Sequence, residues 1–215
     1  MEFDHYRTDN NIDIHICNTK KFKTILMEFF LVRPLGEKEK TTRTAVLPFL
    51  LFRGSANYPT NQKIIRKLET LYGASLNISV MKRGENQLLR FSLELTENKY
   101  LKDSKDLLQA GLEFLFQLIF NPLLENNRFK DEYLKLAKKY IREEIKGIKN
   151  DKYNYAIYRC YQEMCSNERF SQHKLGAIDC LDEINSHDLY KFYRQIINES
   201  PMCLFLIANC SPEKT

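Results

Sequence analysis

The sequence has no tryptophan, and its 215 residues include only seven glycines, six prolines and four histidines. It also lacks a long hydrophobic run, since stretches such as residues 45–52 fall far below the roughly 20 apolar residues that cross a bilayer. Its start, MEFDHYRTDNN, is polar and acidic where a secretory signal needs a basic segment followed by an apolar run. We therefore expect no membrane span and a cytoplasmic location. The six cysteines are then expected to be reduced thiols.

The histidines stand at positions 5, 15, 173 and 187, so none has the spacing that directs two imidazoles from one helix to a metal. His15 and Cys17 would share one side of a strand, but two ligands without partners do not make a metal site. The sequence also has no nucleophile-elbow, P-loop or dinucleotide-binding motif. These absences predict no metal, no cofactor and no catalytic residue.

What the chain does have is enough apolar material for a core. Hydrophobic residues make up 43% and charged residues 28% of the sequence. The net charge of +5 is spread along the chain, with no basic tail and no low-complexity linker. We expect a single domain over residues 1–215.

Alternating and continuous apolar segments predict strands, and Gly84 suits the turn of a hairpin around residues 82–86. The predicted strands are residues 12–17, 25–32, 75–81, 87–95 and 202–208. Helical periodicity with cap and stop signals predicts helices, and the first should begin near Thr44 or kink at Pro48 and end at Gly54. The other predicted helices are residues 60–72, 106–120, 128–149, 153–165 and 186–197, the last capped by Ser186. This order predicts an α+β fold with two layers, a largely antiparallel sheet covered by helices.

The predicted helix over residues 128–149 carries a basic stripe beside an apolar one. Tyrosines lie near the stripe, at positions 140, 153, 155, 158 and 161. Bases can stack on aromatic rings beside positive charge, but a solvated helix face is the simpler interpretation. The basic residues are Lys135, Lys138, Arg142, Lys146 and Lys149, and the apolar ones are Leu134, Ala137, Ile141, Ile145 and Ile148.

Several segments in order resemble the inverted zinc peptidases, the family of insulinase, pitrilysin and mitochondrial processing peptidase. They are LPFLLFRGS, then LYGASLN with the hairpin, YIREEIKGIKNDK, KLGAIDCLDEINSHDLYKFYRQII and MCLFLIANC. The resemblance covers nearly the whole chain and points to the amino-terminal half of a catalytically degenerate bacterial member, of the kind found in low-GC Gram-positive bacteria. It implies a second lobe in the complete protein and an active zinc-peptidase homologue as partner.

In that family an H-x-x-E-H motif precedes the Arg-Gly-Ser stretch, and its two histidines bind zinc while its glutamate activates water. The resemblance places Ala45, Pro48 and Phe49 at those three positions. The third zinc ligand is a glutamate before an isoleucine on a later helix, which corresponds to Glu144, and a supporting glutamate seven residues earlier corresponds to Ala137. Glu144 alone cannot hold catalytic zinc, and an ordinary helix carboxylate is its simpler interpretation.

In active relatives the strand that follows the second helix pairs with the substrate backbone. The resemblance places Asn77, Ile78 and Ser79 on that strand, and pairing of this kind needs only backbone groups. The predicted function is therefore that of an inactive peptidase homologue, a peptide-binding or scaffold subunit beside an active one. The alternative is a nucleic-acid or translation-associated accessory protein that uses the basic stripe, since some degenerate relatives are linked by name to modification of elongation factor P.

Overall fold

The computed structural model describes residues 2–101 and 106–209. Its main sheet has six strands, which are β1 (Asp4–Arg7), β2 (Ile12–Asn18), β3 (Thr24–Pro34), β4 (Ser75–Arg83), β5 (Asn86–Thr96) and β8 (Met202–Ala208). They lie in the order β1-β2-β8-β3-β5-β4, and all neighbours are antiparallel except the parallel pair β2–β8. A short hairpin, β6 (Leu124–Glu125) and β7 (Arg128–Phe129), stands apart from this sheet.

Helices make the second layer of the fold and contribute much of its core. They are α1 (Lys38–Arg53), α2 (Asn61–Thr70), α3 (Leu107–Phe120), α4 (Asp131–Gly147), α5 (Lys152–Met164), α6 (Ile178–Glu183) and α7 (Ser186–Glu199). The predicted α+β class with a largely antiparallel sheet is confirmed. None of the helices described is long and apolar enough to cross a membrane.

One face of the sheet is almost wholly buried, because alternate residues of its central strands point toward the helices. Met27, Phe29 and Leu31 of β3 and Leu89 and Phe91 of β5 are each 1% exposed or less. They share one hydrophobic cluster with the buried sides of α1 and α3. The continuous apolar run of residues 25–32 predicted a more fully buried strand, whereas burial along β3 alternates because one face of the sheet meets the helices.

The first helix differs from its prediction, since it begins at Lys38 and contains Pro48, whereas we expected a start near Thr44 or a kink. An interior proline costs about 3 kcal/mol. Burial of Val46, Leu47, Leu50 and Leu51 outweighs that cost, because each fully buried aliphatic side chain contributes about 1.5–3 kcal/mol.

Other differences are smaller. The side chain that caps α7 is Asn185, which accepts from the Asp188 N–H, and Ser186 is the first helical residue. Helix α4 begins at Asp131 because residues 128–129 form a strand. Strand β1, the β6–β7 hairpin and α6 were not predicted, since all are short and depend on contacts made elsewhere in the fold.

Candidate functional site

The three residues assigned to the lost zinc motif lie on one side of α1, at helical spacings of three and four. Ala45 is only 1% exposed and belongs to the core. Pro48 is buried and Phe49 is partly exposed. The Phe49 ring packs against Tyr140 of α4, with 4.2 Å between ring centroids and a tilt of 42°. This side of α1 is therefore an apolar and aromatic surface.

A cavity of about 350 Å³, here called the α1 groove, lies between α1, β4 and α4. It brings together four of the sequence-predicted site positions, which are Pro48 and Phe49 on α1 and Asn77 and Ile78 on β4. Ala45 and Ser79 are not among its lining residues. The complete lining is Pro48, Phe49, Phe52, Arg53, Leu76, Asn77, Ile78 and Tyr140.

Glu144, which the sequence resemblance assigns to the family's third zinc ligand, lies one helical turn beyond Tyr140 on α4. Burial raises the pKa of the Tyr140 hydroxyl, and the negative charge of Glu144 raises it further. Ala137, one turn before Ile141, is buried in the core. Across residues 2–101 and 106–209, no group of three or more His, Cys, Asp or Glu side chains is arranged to hold a metal ion.

Strand β4 forms one edge of the sheet, so its outer backbone groups have no strand partner in the described part of the chain. Gly84, with φ of +53°, and Glu85 form a two-residue turn between the paired residues Arg83 and Asn86. Such a turn is closed by a hydrogen-bonded pair, and the pairs of an antiparallel ladder alternate from there. Asn77 and Ser79 therefore bond to β5, whereas the N–H and C=O of Ile78 point outward. Leu76 and Val80 share this outward orientation.

A larger cleft of about 810 Å³, here called the hairpin cleft, lies at the other end of β4. Lys82 connects β4 to the opposite side of the cleft, because its Nζ donates hydrogen bonds to the Phe170 and Gln172 carbonyls at 2.6 and 2.7 Å. The same ammonium lies 4.1 Å from the centroid of the Phe170 ring. Burial lowers the pKa of Lys82. Glu144 also lines this cleft, so it lies between the cleft and the α1 groove.

His173 is the most perturbed titratable group of the hairpin cleft. Its Nδ1 accepts a hydrogen bond from the Leu175 N–H at 3.2 Å, and its ring packs edge-on against Tyr158. Burial, with the nearby positive charges of Lys174 and Lys82, lowers its pKa to about 4. The imidazole is therefore neutral at pH 7. No pattern in the sequence indicates this environment, because His173 stands alone in a loop.

The basic stripe of α4 is partly used in internal contacts. Lys138 donates to the Asp182 carbonyl at 3.3 Å, and Arg142 forms a 2.7 Å ion pair with the Asp182 carboxylate. Tyr158 lines the hairpin cleft instead of extending the stripe. Nothing in this arrangement favours the nucleic-acid alternative.

The pair His15 and Cys17 does lie on one side of β2, as expected from their spacing. The His15 ring stacks on Phe205 at a centroid distance of 4.6 Å and lies against His5 at 4.8 Å with a tilt of 37°. Cys17 is 1% exposed. His15 therefore packs among aromatic rings, and Cys17 is a buried thiol.

A helix-covered, mostly antiparallel sheet whose open edge strand runs beside α1 is the lobe architecture of insulinase/pitrilysin-type peptidases. No family model matches the chain. The chain is 35% identical over 195 residues to the "Probable inactive metalloprotease YmfF" of Bacillus subtilis (strain 168). That match covers 91% of this chain and 46% of the relative, so the chain spans about half the relative's length.

Solved structures agree on the fold. A conserved protein from Enterococcus faecalis V583 matches with a TM-score of 0.88 and 25% identity, over 98% of this chain and 50% of that one. A peptidase M16 inactive domain from Pseudomonas fluorescens matches with a TM-score of 0.73 and 13% identity, over 100% of this chain and 48% of that one. Pitrilysin matches with a TM-score of 0.68 and 16% identity, over 99% of this chain and 22% of that one. The chain belongs to the insulinase/pitrilysin family, as the sequence resemblance predicted.

Proposed function

We propose that this lobe binds extended peptides without cleaving them, and that it does so by adding the peptide as a strand to the outer edge of β4. The observation that carries the proposal is the α1 groove, which lies directly beside the outward-pointing backbone groups of Ile78. Strand addition takes its affinity from main-chain hydrogen bonds and its selectivity from pockets for alternate side chains.

The two cavities along β4 supply pockets of different character. The α1 groove is lined by the apolar and aromatic side chains of Pro48, Phe49 and Tyr140. The hairpin cleft adds charged groups, including Lys82 and Glu144. A peptide paired along β4 would run from one to the other, since the nine residues of β4 extend for about 30 Å.

The proposed lack of peptide cleavage rests on the chemistry of α1. Catalytic zinc needs three protein ligands and an open position, and a base must activate the water. Ala45, Pro48 and Phe49 offer neither a ligand nor a base, and Glu144 alone would supply one ligand of the three that are needed. The relative named as a probable inactive metalloprotease supports this interpretation.

We further propose that the complete protein contains a second lobe and acts beside an active zinc-peptidase homologue. The length of the relatives supports the second lobe, because this chain covers 46% of the curated relative and 50% of the protein from Enterococcus faecalis. In this arrangement the lobe would form one wall of a peptide-holding chamber.

The test of strand addition is a pair of substitutions at Ile78. Ile78→Pro removes the outward N–H without breaking the ladder to β5, whereas Ile78→Ala removes a similar amount of side-chain packing and keeps the N–H. The probe is a set of fluorescein-labelled β-casein peptides about nine residues long, the length of β4. We expect fluorescence anisotropy to show at least about tenfold weaker binding for Ile78→Pro, or about 1.4 kcal/mol, and little change for Ile78→Ala.

Thermal unfolding of both variants establishes that the fold is kept. Equal binding by the proline and alanine variants would show that the outer edge of β4 is not the binding surface. Failure of the unsubstituted protein to bind any of the peptides would end the proposal.

A further inference from the structure

A third cavity, here called the α1 entry cavity, lies away from β4, between the end of β3 and the first turns of α1. Its volume is about 180 Å³. Among the described residues that line it there are two cations and no carboxylate. The side chains with hydrogen-bonding groups are Arg33, Lys40, Thr41, Thr44 and Gln87.

Two polar atoms of this lining have no hydrogen-bond partner in the described part of the chain. Thr41 is 1% exposed, and its Oγ1 is buried and unpartnered. The Nη1 of Arg33 is likewise buried and unpartnered. A buried group left unsatisfied costs about 1–3 kcal/mol, so two such groups at one cavity need an explanation.

The neighbouring threonines of α1 have hydrogen-bond partners that Thr41 lacks. Thr42 donates to the Lys38 carbonyl at 2.6 Å, and Thr44 donates to the Lys40 carbonyl at 3.0 Å. Both therefore bond back within α1, as helical threonines commonly do. The Thr41 hydroxyl remains available to a group inside the cavity.

The electrostatic surroundings favour an anion. Arg33 packs against the Phe192 ring at 4.8 Å, and burial lowers the pKa of its guanidinium, with Glu199 acting in the opposite direction. The N-terminal end of a helix carries a partial positive charge. Helix α1 has no side-chain cap from Glu37, and Glu39 in its first turn pairs with Arg43 and does not line the cavity. Lys40 is exposed and lies at the mouth, whereas Thr41 and Gln87 form the buried floor.

We propose that the α1 entry cavity binds a phosphate group. Phosphate oxygens are strong acceptors, and the donors here come from separate directions: Arg33 from β3, Thr41 from the floor and Lys40 at the mouth. The volume accommodates a group of five heavy atoms, since one water takes about 30 Å³ of liquid. The phosphate belongs either to the free ion or to a phosphomonoester, and both present the same tetrahedral group.

The experiment measures phosphate binding by the full-length protein, with calorimetry and thermal unfolding at constant ionic strength set by chloride. We expect saturable stabilisation by inorganic phosphate. Thr41→Val should weaken phosphate binding at least tenfold, and without phosphate it should not lower the melting temperature, because it removes an unpartnered hydroxyl while keeping the side-chain shape. Arg33→Met should weaken phosphate binding similarly.

Arg43→Met is the matched control. Arg43 also packs against Phe192 and carries the same charge, but it does not line the cavity. Phosphate affinity should survive this substitution.

Phosphoserine distinguishes the two sources of the group. Stabilisation by both ligands assigns the cavity to a phosphomonoester, stabilisation by inorganic phosphate alone assigns it to the free ion, and either result supports the site. Equal stabilisation by acetate and phosphate would overturn the proposal. Unchanged phosphate affinity in both Thr41→Val and Arg33→Met would also overturn it.

Discussion

The sequence resemblance assigns Ala45, Pro48 and Phe49 to the family's zinc-motif positions, and the three residues differ in how much room surrounds them. Ala45 is packed into the core at 1% exposure, so an imidazole there would overfill the site. Phe49 borders the α1 groove and has space beside it. Histidine, glutamate and histidine at positions 45, 48 and 49 would therefore not by themselves create a zinc site, because the core encloses position 45.

A second prediction at the residue scale concerns His173 and the pH dependence of the free energy of unfolding. Its folded-state pKa of about 4 lies below the ordinary value of 6.5, so the unfolded chain binds more protons between these values. Its contribution to stability is complete above pH 6.5 and is lost as the pH falls toward 4. We expect the free energy of unfolding to fall by up to about 1.4 kcal/mol per pH unit in this window, as measured by urea unfolding.

His173→Gln is the control for that measurement, because glutamine is polar but does not titrate. Its stability should depend less on pH between 4 and 6.5, the window set by the two pKa values. A pH dependence identical to that of the unsubstituted protein would show that other groups cause it.

At the scale of elements, the loop that carries His173 packs closely against Thr42 of α1. The Ala177 N–H donates to Thr42 Oγ1 at 3.0 Å. Gly176 has φ of +76°, and a Cβ there would collide with Thr42 Oγ1 and lie 2.6 Å from its Cα. Glycine is therefore required at this position both for its conformation and for the close approach to α1.

We predict that Gly176→Ala destabilises the protein by about 2–5 kcal/mol, as the sum of left-handed strain and overpacking. Gly84→Ala is the matched control, because Gly84 also has positive φ but nothing lies within 4 Å of its Cβ position. Gly84→Ala should lower the free energy of unfolding by about 1–2 kcal/mol. Urea unfolding of both variants measures the difference, and equal costs would show that the contact with Thr42 contributes nothing.

At the scale of the whole molecule, the lobe corresponds to about half of its relatives. We predict that the full-length protein, purified under mild conditions from its own cells, recovers a homologue that contains H-x-x-E-H. The complex should contain about one zinc ion per partner chain, bound by that chain's three ligands, and this protein alone should contain much less. Affinity purification followed by mass spectrometry and metal analysis tests both statements.

A matched purification from cells that lack the homologue provides the baseline for zinc. If no such homologue is recovered, the role beside an active peptidase must be abandoned. Stoichiometric zinc on this protein alone would contradict the proposed loss of the metal site.

The sequence by itself determined the local elements and the chemistry that is missing. Alternation predicted β2, a continuous apolar run predicted β3, and Gly84 predicted the β4–β5 turn, while the four histidines show no H-x-x-E-H spacing. These features are local, because periodicity, caps and turn residues act over a few neighbours. Even the start of α1 was mislocated, since burial of its apolar side offsets the local cost of Pro48.

Only the tertiary structure decided the order of the strands and the position of β4 at the edge of the sheet. It also decided that Pro48, Asn77 and Tyr140 line one groove, and that Arg33 and Thr41 line one cavity. These residues are far apart in the chain, and their approach results from packing helices onto one face of a sheet. No local pattern records which segments such packing will bring together.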